Sequence, residues 1–183
     1  MGRIIIGVTG ASGAIYAHRL IEHLKALNQE VFLVLTDTAK KVCAFEGYPH
    51  IASLTDKIYA NDDFFSPIAS GSFRHQGMVV IPCSMGTLGK IAHGIGDTLL
   101  TRAADVCLKE RQKLILVPRE TPMSSLHLNN QKVLSDIGAV ILPANPSFYH
   151  KPKTMEDLAD TVLSRVLDHL NIVHQVGKRW REM

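Results

Sequence analysis

Four short segments of the chain carry residue types that do chemistry, and each follows an apolar run. The first is Gly7-Val8-Thr9-Gly10-Ala11-Ser12-Gly13-Ala14. Glycines let a backbone come close to an anion, the amides opening the next helix point at it, and Ser12 adds a hydroxyl. The expected chemistry is the cradling of a phosphate at Gly10-Ala11-Ser12-Gly13. The second segment, Pro82-Cys83-Ser84-Met85-Gly86-Thr87, sets hydroxyls and a glycine at a helix start, where they hold an anion or simply cap the helix. In the third, Val117-Pro118-Arg119-Glu120-Thr121-Pro122, a stiff loop offers a phosphate fork and an acid/base carboxyl. The fourth is Ser147-Phe148-Tyr149-His150. Arg102 and Lys109 add cations two turns apart on one helix side.

Other groups are quieter. Cys43, Cys83 and Cys107 form no CxxC and no zinc spacing, and Cys83 reads as a buried structural thiol. The histidines show no HxxxH pair, so no metal is expected.

The elements that must position these segments follow a βαβ rhythm. Strands are expected at Arg3–Val8, Val31–Thr36, Met78–Ile81, Lys113–Val117 and Ala139–Leu142. Helices are expected at Ala14–Leu27, Thr38–Glu46, Met85–His93, Leu99–Arg111, Ser125–Ile137 and Met155–Asn171. The strands are almost wholly apolar, as a mostly parallel sheet with helices on both faces requires. All four segments then fall at the carboxyl ends of strands, on one rim, where such sheets bind ligands. The stretch from Gly47 to Ser72 has little periodicity and reads as functional or partly helical. The last helix starts at a Thr154 cap and repeats Leu158, Val162, Val166 and Leu170.

Length and composition bound the rest. The chain has 183 residues, 46% hydrophobic and 20% charged, with a net charge of +3. That fits one globular domain, taken as residues 1–172, with a tail from 173 to 183 that docks near the site. Scattered basic residues argue against nucleic acid, and no apolar run reaches the roughly 18–20 residues of a membrane span. Without a secretory signal pattern, a reducing, cytoplasmic setting is expected.

The GxxGxxG spacing of the first segment also suits nucleotide-sugar epimerases and short-chain dehydrogenases. Asp37 could then hold an adenosine ribose, and Tyr149 and Lys153 have the YxxxK spacing of those enzymes. That pair needs a helix, and Pro152 between them opposes one.

Taken together, the segments resemble the UbiX-type flavin prenyltransferases over essentially the whole length. The match is carried by Gly10-Ala11-Ser12-Gly13-Ala14, Ala69-Ser70-Gly71-Ser72-Phe73, Pro82 to Leu88, Thr101 to Arg111, Val117 to Pro122 and Pro146 to His150. The resemblance implies a flavodoxin-like Rossmann fold and a metal-independent enzyme. Such an enzyme joins the five-carbon unit of dimethylallyl monophosphate to N5 and then C6 of reduced FMN. The product, prenylated FMN, would serve a separate UbiD-type decarboxylase in ubiquinone synthesis or aromatic acid breakdown. Trimers and dodecamers with sites at subunit contacts are implied too.

Carried over residue by residue, the resemblance gives Gly10, Ala11, Ser12, Thr36, Ser84, Met85, Gly86, Thr87 and Arg119 to FMN, with Ser12 near the N5 edge. Arg102, Lys109, Glu120, Tyr149 and Arg165 would surround the allylic phosphate. Glu46 would assist proton transfer, and Trp180 would close over the isoprenoid pocket. Lys109, Glu120 and Tyr149 are counted with Glu46 as catalytic. The family often has Ser-Lys-Ala-Ala where this chain has Thr36-Asp37-Thr38-Ala39; Thr36 keeps the hydroxyl, and Asp37 brings a negative charge. Two other readings stay open at this point: an FMN-dependent cysteine decarboxylase, and a non-catalytic FMN-carrier subunit of a decarboxylase.

Overall fold

The computed structural model describes residues 2–177 and residue 179. Among them one sheet is formed by β1 (Arg3–Val8), β2 (Glu30–Leu35), β3 (Ile58–Tyr59), β4 (Gly77–Cys83), β5 (Leu114–Pro118) and β6 (Val140–Ile141). Their order is β3-β2-β1-β4-β5-β6, and every neighbouring pair is parallel. The helices are α1 (Ala14–Ala26), α2 (Asp37–Phe45), α3 (Met85–Ala92), α4 (Leu99–Lys109), α5 (Ser125–Asp136) and α6 (Met155–His169). Without the two-residue edge strand β3, the order is that of a flavodoxin-like sheet.

Strand alternation divides the core in two. Ile4, Ile6 and Val8 face a layer that includes Leu20 and Leu24 of α1 and Val162, Val166 and Leu167 of α6. Ile5, Val34 and Val80 face the opposite layer, with Leu88 of α3, Leu100 and Ala104 of α4 and Leu134 of α5. Both faces are therefore dry, which is why the strands read as unbroken apolar runs.

Most elements lie where the sequence places them, and the differences have local causes. The sheet is parallel throughout rather than mostly so. α4 and α6 stop two residues early, because Arg111 and Asn171 adopt left-handed φ values of 56° that end a helix. The stretch after Gly47 holds two 3-10 turns, Ile51–Leu54 and Pro67–Ala69, and the unforeseen β3. Two residues are too few for any periodicity to mark a strand.

The chain leaves β1 for β2 on one side and later returns to β4 on the other. The β1/β4 boundary is thus the topological switch point, where the loops part and leave a crevice. After the Thr154-capped α6, the chain doubles back, and His174 and Arg179 both reach Asp168.

Candidate active site

The turn after β1 is built differently from a bare phosphate cradle. Gly13 has φ +112° and caps α1 without a side-chain bond, so Ser12 is not the cap. The Glu46 carboxylate, from the end of α2, accepts the Gly13 amide at 3.0 and 3.2 Å and the Ala14 amide at 2.7 Å. A side chain of the protein thus holds the positive end of α1. Burial pushes the Glu46 carboxyl up. The Ser12 hydroxyl, the two amides and the Arg119 charge outweigh that, and the net direction is down. Glu46 is therefore a carboxylate in contact with Ser12.

The turn packs as closely as its glycines imply. A Cβ on Gly10 would stand 2.4 Å from Cγ2 of Thr38, so α2 sits directly on it. Thr36 caps α2, accepting the Ala39 amide at 3.1 Å. Asp37 is exposed and pairs with Lys40 at 2.8 Å, pointing no carboxylate into the crevice. Tyr149 and Lys153 lie in a loop, not on a helix. Neither feature of the dehydrogenase reading has the geometry it needs.

Across the switch point the other helix start is open. Ser84 caps α3, accepting the Thr87 amide at 3.4 Å and donating to the Thr87 hydroxyl at 3.1 Å. The first turn of α3 carries no acidic residue, and a Cβ on Gly86 would meet nothing within 4 Å. This turn has the donors, the dipole and the space to take a phosphate.

Two clefts that share Asn145 open along this rim. One, of about 580 Å³, is lined by Ser12, Tyr16, Arg119, Glu120, Met155 and Asn145, among others. That lies within the roughly 300–1,000 Å³ of small-molecule sites. Burial pushes the Tyr16 phenol up, against the Arg119 charge. The second cleft, also lined by Asn145, contains Tyr149, His150, Arg165 and Arg179. Asp168 balances its cations, accepting Arg165 at 2.7 Å and Arg179 at 2.6 Å.

Of the residues expected around the allylic phosphate, Arg102 and Lys109 line neither cleft. Arg102 pairs with Asp105 at 2.9 Å and donates to the Ala69 carbonyl. Lys109 ends α4, pairs with Glu110 and lies beside Gly71, toward the end of the sheet where β5 begins. Within one chain both are apart from Tyr149 and Arg165. Trp180 lies outside the described residues. Thr9, Tyr16 and Asn145 went unremarked in the sequence, the first hidden between glycines and the others outside any motif.

Cys83 is fully buried, and burial pushes its thiol up to about 12. It cannot supply a thiolate nucleophile near neutrality. Cys83→Ala should retain activity within about threefold, and alkylation of the folded protein should leave activity intact; inactivation by a thiol reagent would contradict this.

A parallel doubly wound sheet with this rim defines a nucleotide-type ligand binder, and comparison with known proteins makes the class specific. Residues 1–178 match the family model described as Flavoprotein. The flavin prenyltransferase UbiX of Thermoplasma acidophilum is 47% identical, over 97% of this chain and 99% of its own. The flavin prenyltransferase LpdB of Lactiplantibacillus plantarum is 45% identical over 98% of each. The solved structure of AnUbiX (PadA1) in complex with FMN and dimethylallyl pyrophosphate superposes with a TM-score of 0.93 and 39% identity, over 100% of this chain and 98% of that one. The dodecameric FMN-dependent UbiX-like decarboxylase from Escherichia coli O157:H7 gives 0.94 and 43%, over 98% and 99%. The peptidyl-cysteine decarboxylase EpiD shares the fold at 24% identity and a TM-score of 0.65, over 93% and 98%. The chain belongs to the flavin prenyltransferases of the flavoprotein family.

Proposed function

We propose that this chain transfers a dimethylallyl unit from dimethylallyl monophosphate to reduced FMN, giving prenylated FMN. The observation that carries the reading is the pair of clefts meeting at Asn145, one lined by Ser12 and Arg119, the other by Tyr149 and Arg165. A flavin edge and an allylic phosphate can thus face each other across one short span.

The open turn Ser84-Met85-Gly86-Thr87 would take the flavin phosphate, with Arg119 completing that side. Gly10, Ala11, Ser12 and Thr36 would line the flavin. When bound, reduced FMN supplies the nucleophilic nitrogen. The protein's own groups do the rest. Arg165 and Tyr149, with Glu120 nearby, stabilise the charge left on the departing phosphate; removing one such donor typically costs about 2–4 kcal/mol of barrier. The clefts would hold donor and acceptor in register. Glu46, ionised and bonded to Ser12, would take a proton released as the second bond closes. Trp180 would cover the five-carbon group, with the tail 173–183 docked over the domain 1–172.

Arg102 and Lys109 reach this site only from another copy, so the working unit is a homo-oligomer. Exposed Phe45, Phe65, Leu126 and Phe148 are apolar surface that such contacts would cover. The dodecamer of the Escherichia coli relative supports the same assembly for this chain. The product would pass to a UbiD-type decarboxylase. A cytoplasmic setting fits: among the described residues no helix is long and apolar enough to cross a membrane.

Incubation with reduced FMN and dimethylallyl monophosphate should give a flavin heavier by one five-carbon unit; an unchanged mass would refute the assignment. Glu120→Gln and Tyr149→Phe should each lower turnover by about 10²-fold. A mere carrier would keep its full ability to activate a partner decarboxylase with either change.

A further inference from the structure

Thr9 has no role so far, yet its side chain ties the two rim loops together. The backbone ladder between β1 and β4 ends at Gly7 and Val80. Beyond it β4 carries Pro82, which has no amide to donate, and its register against β5 shifts between Val80 and Cys83. α1 and α3 pack on opposite faces of the sheet. The loops therefore diverge where a ligand would be gripped.

The Thr9 hydroxyl spans this gap. It donates to the Pro82 carbonyl at 2.8 Å and accepts the Ser84 amide at 2.7 Å. The backbone bond from the Thr9 amide to the same carbonyl is longer, 3.3 Å. The side chain is 1% exposed, and water cannot substitute for it. Its acceptance of the Ser84 amide fixes the cap residue of α3, and with it the direction of the turn that carries Ser84 and Thr87.

We infer that Thr9 is the positioning residue that aims the first turn of α3 at the flavin phosphate, and so the residue through which the protein distinguishes FMN from unphosphorylated riboflavin. This rests on the assignment of the phosphate to Ser84–Thr87. Valine at position 9 keeps the shape and removes both hydrogen bonds; serine keeps both.

The test is a pair of titrations, FMN and riboflavin, on the full-length protein followed by flavin fluorescence. Thr9→Val should weaken FMN by about 10–100-fold and riboflavin by less than about threefold, and Thr9→Ser should keep the original ratio. Unchanged riboflavin binding also reports that the variant is folded. If the valine variant does not fold, Thr9→Ala must shift the same ratio. Equal losses for both flavins would mean a merely structural role and would overturn the inference. Ser84→Ala separates it from the reading beneath. If that change lowers FMN preference and the Thr9 changes do not, the inference fails alone. If the unaltered protein shows no preference for FMN, both fail.

Discussion

Glu46→Gln should lower prenyl transfer by about 10²–10⁴-fold while changing FMN affinity by less than about tenfold. Glutamine can still accept an amide of Gly13 or Ala14 through its one carbonyl oxygen, so the turn after β1 keeps its shape. What disappears is an ionised group in contact with Ser12. The same substitution has a pH signature. The folded-state carboxyl sits below its ordinary value, although burial opposes this, because Ser12, two amides and Arg119 favour the charged form. A depressed carboxyl contributes stability that is present above the unfolded value and is lost as pH falls through the folded one. The difference in thermal midpoint between the original protein and Glu46→Gln should therefore be constant near neutrality. It should shrink below the ordinary glutamate range. Parallel midpoints down to strongly acidic pH would show that Glu46 is not held ionised.

A second large effect is expected from mixing two inactive proteins. Lys109→Ala and Arg165→Ala should each be nearly inactive. If they are dissociated, mixed in equal amounts and reassembled, activity should return to roughly a quarter of the original. A site taking Lys109 from one copy and Arg165 from another has about that chance of being intact. The proposed assembly predicts it, because Lys109 sits near the start of β5, while Arg165 lines a cleft beside the loop after β6. A mixture as inactive as its parts would place both residues in one chain's site.

The fold was legible because parallel strands buried on both faces leave apolar runs that few other structures leave, and because Thr154 and Ser84 cap helices in recognisable fashion. The rim followed from the order of elements alone. What could not be read was pairing across distance. Glu46 precedes a featureless stretch, and nothing nearby indicates that it occupies the start of α1. Its occupancy is why the proposed phosphate site is the second segment, which sequence alone offered as an anion site more than as a plain helix cap. Thr9 reads as a spacer among glycines until β4 is seen beside it. Arg102 and Lys109 share a helix with regular spacing, but periodicity cannot say which copy of the chain they serve.

The Thr9–Pro82 bond joins residues 73 positions apart in the chain. β1 meets β4 only after β2, β3 and the intervening turns have been made, so the crevice is a product of high contact order. During synthesis, the first strand must wait for nearly half the polypeptide before its second neighbour exists. Folding of the ligand site should accordingly be slow and late. Truncations ending before Cys83 should yield no flavin-binding fragment, however much helix they contain.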